Sequence, residues 1–158
     1  MSDSLKDTVT LLIIDDDTVD IRGVTRALRR HRFDNPIITA ENGEEGLKIL
    51  RGTPENAPLS RPYLILLDLN MPRMNGLEFL DELRQDQALK DSVVFVLTTS
   101  EDDRDMALAY NKQIAGYIVK SRAGVDFLNL VSMLEKFVLT VRFPENPVSR
   151  LTSDDNTT

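Results

Sequence analysis

The apolar residues of the chain are concentrated in five short runs, at positions 9–14, 36–40, 63–67, 93–97 and 117–119. Four of the runs are nearly continuous rather than alternating, which is typical of parallel strands that are covered on both faces. The run at 36–40 is weaker, but the turn signal Glu41-Asn42-Gly43 follows it directly. We therefore predict five strands.

Between these runs, apolar residues recur every three or four positions, as they do on the buried face of a helix. Four helices are marked in this way, by Val24, Ala27 and Leu28; by Leu47 and Leu50; by Leu77, Leu80 and Leu83; and by Met106, Ala109 and Tyr110. A last helix is expected over residues 125–139. Because strands alternate with helices, we predict an α/β fold of the (βα)5 type, a doubly wound five-stranded parallel sheet.

The length and composition of the chain fit one domain. Its 158 residues, 41% of them apolar and 28% charged, are enough to build one hydrophobic core. We expect a short N-terminal arm at 1–8, a folded domain over 9–143 and a flexible polar tail at 144–158.

Charge and cysteine content narrow the possible functions. The net charge of −7 argues against a nucleic-acid binder, and no apolar run approaches the roughly 20 residues that span a bilayer. The polar N-terminus is unlike a signal peptide, and the absence of cysteine fits a reducing compartment. We expect a cytoplasmic protein that binds neither nucleic acid nor membrane.

Polar side chains with a common chemical purpose stand directly after, or at the end of, four predicted strands. They are Asp15-Asp16-Asp17 after the first strand, Asp68 after the third, Thr98 after the fourth and Lys120 after the fifth. In a doubly wound parallel sheet, ligands bind at the carboxyl ends of the strands, near the point where the strand order reverses. The pattern therefore predicts that these groups share one crevice.

Crowded carboxylates repel one another, and a divalent cation such as Mg²⁺ relieves that repulsion through oxygen ligands. A carboxylate beside such an ion and beside the ammonium group of Lys120 can act as the nucleophile toward a phosphoryl group. The hydroxyl of Thr98 can then hydrogen-bond the new phosphoryl oxygens, which is a contact that exists only in the modified state. We predict a phosphoryl-accepting site.

Four stretches carry a resemblance to a known family, at residues 11–17, 66–76, 96–100 and 116–120. They resemble the response-regulator receiver domains, which have the CheY-like, flavodoxin-like fold, and the resemblance covers about residues 8–140. It implies that Asp68 accepts the phosphoryl group, with Mg²⁺ (or Mn²⁺ in its place) bound by Asp16, Asp68 and the backbone carbonyl of Asn70. The remaining roles that it implies are a water-mediated metal contact for Asp15, the switch hydroxyl for Thr98, the phosphoryl partner for Lys120 and the state-reporting aromatic for Tyr117.

The same resemblance implies a two-component signalling protein that receives its phosphoryl group from a sensor histidine kinase and is not a turnover enzyme. A narrower similarity, in the proline-containing loop at 51–62 and in the segment 135–144, is to regulators partnered with bacterial phytochrome histidine kinases. Such regulators are typically single-domain proteins that dimerise.

Two residues depart from the family pattern. Receivers usually carry a proline after the lysine, joined by a cis peptide bond, whereas here Ser121 follows Lys120. A cis bond before a non-proline residue costs roughly 2.5–4 kcal/mol, so we predict a trans bond and a loop that aims Lys120 differently. The second departure is Thr99, where the family more often has alanine; its larger side chain is expected to narrow access to the phosphoryl group.

The last predicted helix suggests a contact surface. Its core stripe is formed by Phe127, Leu130, Val131, Leu134, Phe137, Val138 and Val141. Leu128, Met133 and Leu139 lie off this stripe, and Val141 and Phe143 continue the apolar character beyond the helix. We predict a homodimer through the last helix and the C-terminal extension; isolated exposed apolar residues, which are common on protein surfaces, are the alternative.

Two other functions are compatible with parts of the sequence. Asp15 and Asp17 fit the nucleophile and general acid of a haloacid-dehalogenase-like phosphatase, but the later acidic pair of that family is missing after Lys120. Alternatively, Ser121 and Thr99 could mark a receiver-like docking module that no longer takes phosphate. The single histidine, His31, is expected to complement the dipole at a helix end rather than to relay phosphate.

Overall fold

A computed structural model of the protein describes residues 8–145. Its strands are β1 (Thr10–Ile14), β2 (Ile37–Ala40), β3 (Tyr63–Leu67), β4 (Val93–Thr98) and β5 (Gly116–Val119). Its α-helices are α1 (Thr18–Arg30), α2 (Gly43–Arg51), α3 (Gly76–Gln85), α4 (Asp103–Asn111) and α5 (Leu128–Thr140). Most of the predicted arm at 1–8 and of the tail at 144–158 lies outside the described residues, so both remain predictions.

The five strands form one parallel sheet in the order β2-β1-β3-β4-β5, which confirms the predicted (βα)5 fold. From β1 the chain first adds β2 on one side of β1 within the sheet and then returns past β1 to add β3 on its other side. The strand order therefore reverses between β1 and β3. In register, Ile14 pairs with Leu67, and Leu67 pairs with Val96. The carboxyl ends of β1 and β3 therefore lie side by side at the point where such folds bind ligands.

Both faces of the sheet are covered by apolar side chains, which explains why the strands are almost continuously apolar. One face packs against α2 and α3 through a cluster that includes Ile14, Leu67 and Phe79. The other face packs against α1 and α5 through a cluster that includes Leu28 and Leu134. All five residues of β3 are buried, so the central strand, and the position of Asp68 that follows it, are held on both sides.

Polar residues at the carboxyl edge of the sheet cap the helices that begin there. The side chain of Asp17 accepts hydrogen bonds from the backbone N–H groups of Val19 and Asp20 at the start of α1. Asn75 and Glu78 form a reciprocal capping box at the start of α3. These caps fix where each helix leaves the sheet.

The last helix begins later than predicted. Residues Val125–Phe127 form a separate 3₁₀ turn, and α5 begins at Leu128 rather than at 125. Asp126 and Phe127 have φ angles of 52° and 60°, a left-handed conformation that an α-helix cannot contain. The turn places the ring of Phe127 against Gly23 in α1, where an added Cβ would lie 2.7 Å from the ring. The ring would have to turn aside to admit a side chain at position 23, which favours a glycine in the middle of α1.

The fourth helix forms as predicted, but the three apolar residues that marked it do not share a buried face. Ala109 is buried, whereas Met106 and Tyr110 are 39% and 48% exposed. The spacing therefore predicted the helix correctly, but the prediction of its buried face was wrong. Of the three residues, the small side chain of Ala109 makes the contact with the core.

Arg84, near the end of α3, connects the loops at the opposite, amino edge of the sheet. Its guanidinium group donates hydrogen bonds of 2.7–2.9 Å to the carbonyl oxygens of Lys90 and Ser92, before β4, and of Lys112 and Gln113, after α4. One side chain thus ties together the entry to β4 and the C-terminal end of α4.

We predict that Gly76→Ala lowers the free energy of unfolding by about 1–3 kcal/mol, a typical cost of overpacking. An added Cβ at Gly76 would lie 2.4 Å from the carbonyl oxygen of Asp68 and 2.7 Å from Cα of Leu69, and backbone atoms cannot give way as a side chain can. Urea unfolding measures the loss.

Gly23→Ala is the matched control. Its Cβ would meet the ring of Phe127, which can rotate, and alanine recovers about 1 kcal/mol of helix propensity. An equal loss of stability in the two variants would contradict the importance of the approach between Gly76 and the backbone after Asp68.

Candidate functional site

Three carboxylates converge where β1 and β3 end. One oxygen each from Asp15, Asp16 and Asp68 can be chosen so that all three lie within 4.8 Å of one another. Asp15 and Asp68 are 4% and 6% exposed, while Asp16 is open to solvent. The grouping of these residues at the carboxyl edge is as the sequence predicts.

The donor set of this cluster suits a hard divalent cation. Burial raises the pKa of the Asp15 carboxyl to about 7, and the nearby charge of Asp68 acts in the same direction. The N–H of Asp17 donates to Asp15 at 2.9 Å and opposes this shift, as does the charge of Lys120. The raised pKa shows that a second negative charge beside Asp68 is unfavourable when no cation is bound, and a divalent cation would relieve this repulsion. Carboxylate oxygens are the ligands that Mg²⁺ and Mn²⁺ accept.

Lys120 reaches the cluster from the fifth strand. Its Nζ lies 2.6 Å from Oδ2 of Asp20, 3.2 Å from Oδ2 of Asp15 and 3.4 Å from Oδ2 of Asp68. Burial acts to lower the pKa of this ammonium group, but the hydrogen bond to Asp20 and the charges of Asp15 and Asp68 outweigh it and hold the pKa above its ordinary value. Lys120 is therefore a fixed cation beside Asp68.

The peptide bond after Lys120 is trans, as predicted. Within residues 8–145 the cis bond is that between Arg61 and Pro62, and the chain enters a 3₁₀ turn at Lys120–Arg122. We expected a trans bond to aim Lys120 differently. The contacts of Lys120 do not show this, because its ammonium group lies beside Asp15 and Asp68.

Thr98 and Tyr117 are connected through the backbone of one residue. The N–H of Ser100 donates to Oγ1 of Thr98 at 3.3 Å, and the hydroxyl of Tyr117 donates to the carbonyl oxygen of Ser100 at 3.0 Å. The side chain of Ser100 donates in turn to Asp105 in α4, at 2.7 Å. Thr98 is fully buried, and burial raises the pKa of the Tyr117 hydroxyl.

The remaining predicted positions are found as follows. Asn70 lies at the surface, and its N–H donates to Oδ1 of Asp68 at 3.3 Å; the metal contact of its carbonyl remains a prediction. Thr99 is exposed beside the site. His31 is the C-cap of α1, with its backbone N–H bonded to the last turn, which agrees with its expected place at a helix end.

Sequence reasoning missed three residues of this site, Asp20, Ser100 and Asp105. Asp20 had a usable signal, because an acidic residue three positions after the helix cap Asp17 lies in the first turn of α1, above the same sheet edge. Ser100 acts through its backbone, and no sequence pattern reveals that.

The phosphatase alternative requires Asp17 as a general acid. Instead, the Asp17 carboxylate caps α1, and these bonds hold its pKa below the ordinary value. A general acid needs a raised pKa rather than a lowered one. The geometry does not favour a haloacid-dehalogenase-like activity.

Among the helices of the described residues, none combines the length and the apolar character needed to traverse a lipid bilayer.

Comparison with known families agrees with this geometry. Residues 11–132 match the model of the response regulator receiver domain. The chain belongs to this family and is a response regulator of the two-component type.

Individual relatives make the similarity more specific. The chain is 37% identical to the response regulator Rcp1 of Synechocystis sp., over 91% of this chain and 99% of that protein. Its fold matches the crystal structure of the phosphorylated cyanobacterial phytochrome response regulator RcpA with a TM-score of 0.78, at 34% identity over 87% of this chain and 99% of the other. The Mn²⁺-bound form of Rcp1 matches with a TM-score of 0.76, at 34% identity over 86% and 99% of the two chains. The chain is therefore similar, in sequence and in fold, to a phytochrome response regulator.

We predict that Asp16→Ala weakens Mg²⁺ binding by about tenfold or more, equivalent to roughly 1.4 kcal/mol, because it removes one of three convergent carboxylates. Calorimetric titration of the purified protein measures the dissociation constant. Asp17→Asn is the control, since it also removes one charge beside the site but keeps a good helix cap. An equal loss in both variants would mean that the site attracts cations only through its net charge.

Proposed function

We propose that this receiver domain takes a phosphoryl group on Asp68, with Mg²⁺ bound by Asp16, Asp68 and the backbone carbonyl of Asn70 and, through water, by Asp15. The observation that carries the proposal is the meeting of two carboxylates, those of Asp15 and Asp16, and the ammonium group of Lys120 around one buried carboxylate, that of Asp68. A buried carboxylate flanked by a fixed cation is suited to nucleophilic attack on a phosphorus atom, because the developing charge is already compensated. We propose a switch of this kind rather than a turnover enzyme.

The transfer requires no redox partner. A carboxylate oxygen of Asp68 attacks the phosphorus of a phosphohistidine, the P–N bond breaks, and the leaving ring nitrogen keeps the electron pair. The proton on the other ring nitrogen makes the leaving group a neutral imidazole. Bound Mg²⁺ would supply charge neutralisation for the phosphoryl oxygens. Lys120 compensates the same charge from the other side and donates a hydrogen bond, and its position is set before the reaction begins.

The contacts of Ser100 support a route for the conformational signal. If the hydroxyl of Thr98 turns toward a phosphoryl oxygen, its bond from the N–H of Ser100 must change, and the carbonyl that holds Tyr117 belongs to the same residue. We propose that Thr98 and Tyr117 switch together in this way. Because Ser100 also binds Asp105, the change is passed to α4, and the output is an altered surface for protein contacts.

We propose a sensor histidine kinase of the bacterial phytochrome type as the phosphoryl donor. The support is the similarity to RcpA, described as a phytochrome response regulator, and to the bacteriophytochrome response regulator RtBRR. Transfer of labelled phosphate from a purified phytochrome kinase that exceeds transfer from an unrelated kinase would agree with this; equal transfer would not.

Asp68→Asn is expected to abolish phosphorylation, because the amide is a poor nucleophile and cannot form the acyl phosphate. Intact-protein mass spectrometry after incubation with acetyl phosphate and Mg²⁺ should show one added phosphoryl group in the wild type and none in the variant. Asp34→Asn, at an exposed position, is the control and should be labelled normally. A folded wild-type protein that takes no label would instead favour the docking-module alternative.

We further propose a homodimer through α5 and the segment that follows it. Leu128 and Leu139 are 49% and 80% exposed and, being eleven residues apart, lie on the same side of the helix. The predicted core stripe was wrong at two positions: Val141 is 39% exposed and adds to this surface, and Met133 packs partly against the core. Phe143 packs back against Phe137 with a ring separation of 5.7 Å. The part of the extension nearest the helix is thus the part free to contact a second copy.

For the dimer, we predict that Leu139→Lys raises the dissociation constant by about tenfold or more, since burying a leucine contributes roughly 1.5–3 kcal/mol. Analytical ultracentrifugation over a range of micromolar concentrations measures it. Val19→Lys alters a residue of α1 that is similarly exposed, at 73%, and should leave the assembly unchanged. A wild-type protein that stays monomeric throughout would contradict the proposal.

A further inference from the structure

Lys120 has a third carboxylate partner that lies outside the cation-binding group. The Oδ2 atom of Asp20 is 2.6 Å from Nζ of Lys120, closer than the corresponding oxygens of Asp15 at 3.2 Å and Asp68 at 3.4 Å. Asp20 belongs to the first turn of α1, where the cap Asp17 fixes the backbone through its bonds to the N–H groups of Val19 and Asp20. The strongest contact of the ammonium group is therefore with a residue held on a rigid element.

The three donors of the ammonium group match its three carboxylate partners. Two of the partners, Asp15 and Asp68, are also in the group that can bind a cation, and Asp20 is not. When a cation and a phosphoryl group engage Asp15 and Asp68, the bond between Lys120 and Asp20 is the one that does not have to change. Asp20 can thus hold Lys120 through the whole reaction.

We infer that Asp20 is a positioning residue for Lys120. It anchors the ammonium group beside the phosphoacceptor without taking part in cation binding. The inference rests on the proposed function, because it assumes that Lys120 serves a phosphoryl group on Asp68.

The local backbone explains why such an anchor is useful here. After β5 the chain forms a 3₁₀ turn at Lys120–Arg122, in which Ser121 and Arg122 are exposed. The Lys120 side chain is only 12% exposed, so its position depends on its partners inside the crevice rather than on its own loop. Without Asp20, the ammonium group would have Asp15 and Asp68 as its remaining partners and would pair more closely with the two carboxylates that a cation needs.

A double-mutant cycle on cation binding tests this inference. Asp20→Ala in the presence of Lys120 should raise the Mg²⁺ dissociation constant by about three- to tenfold, since the released ammonium group then competes with the cation. In a Lys120→Ala background the same substitution should change it by less than about twofold, because no ammonium group is left for the loss of Asp20 to release. Calorimetry with MgCl₂ provides the readout, which does not depend on phosphorylation.

Three further variants separate positioning from general effects. Asp20→Glu keeps the carboxylate and should restore most of the affinity, whereas Asp20→Asn keeps the shape and should not. Glu44→Ala removes a carboxylate from the first turn of α2, at the same edge of the sheet, and should have little effect. Thermal unfolding of each variant is measured alongside, so that cation binding is compared among folded proteins.

The outcomes are distinct. Non-additive effects of the Asp20 and Lys120 substitutions, with rescue by glutamate, would support the inference. Equal effects of Asp20→Ala in the two backgrounds would overturn it and leave the proposed function intact. If the wild type binds no Mg²⁺ and takes no label from acetyl phosphate, the proposed function fails, and the inference fails with it.

Discussion

The structure depends on one electrostatic constraint, which is that the carboxylates of Asp15 and Asp68 are brought together out of water. Such groups repel and are costly to bury, and the raised pKa of Asp15 is a direct expression of that cost. Lys120 compensates part of it by lying within 3.4 Å of both. The remaining excess of negative charge is what suits this group of carboxylates to a divalent cation.

The fold is what makes this crowding possible. Parallel pairing in register brings the ends of β1 and β3 side by side, and apolar side chains cover both faces of the sheet. The chain after Asp68 cannot relax outward, because Gly76 at the start of α3 sits against its backbone. Burial of apolar side chains on both faces of the sheet therefore holds in place the strand ends that carry these carboxylates.

The alternation of strands and helices, the approximate bounds of the strands and the convergence of Asp15, Asp16, Asp68 and Lys120 could all be predicted from the sequence, because each follows from a short-range pattern and one topological rule. What could not be predicted depends on conformation. The start of α5 is set by left-handed backbone angles at Asp126 and Phe127, which no apolar periodicity reveals. The Asp20–Lys120 pair joins residues 100 positions apart, and Ser100 contributes backbone atoms that every residue possesses.

The hydrogen bonds of Arg84 have a mechanical consequence. By binding the carbonyl oxygens of Lys112 and Gln113 as well as those before β4, this side chain clamps α4 at its C-terminal end. The N-terminal end of α4 is linked through Asp105 to Ser100, beside Thr98. Any shift of Ser100 would therefore act on one end of α4 while the other end is held, and would tilt the helix rather than translate it.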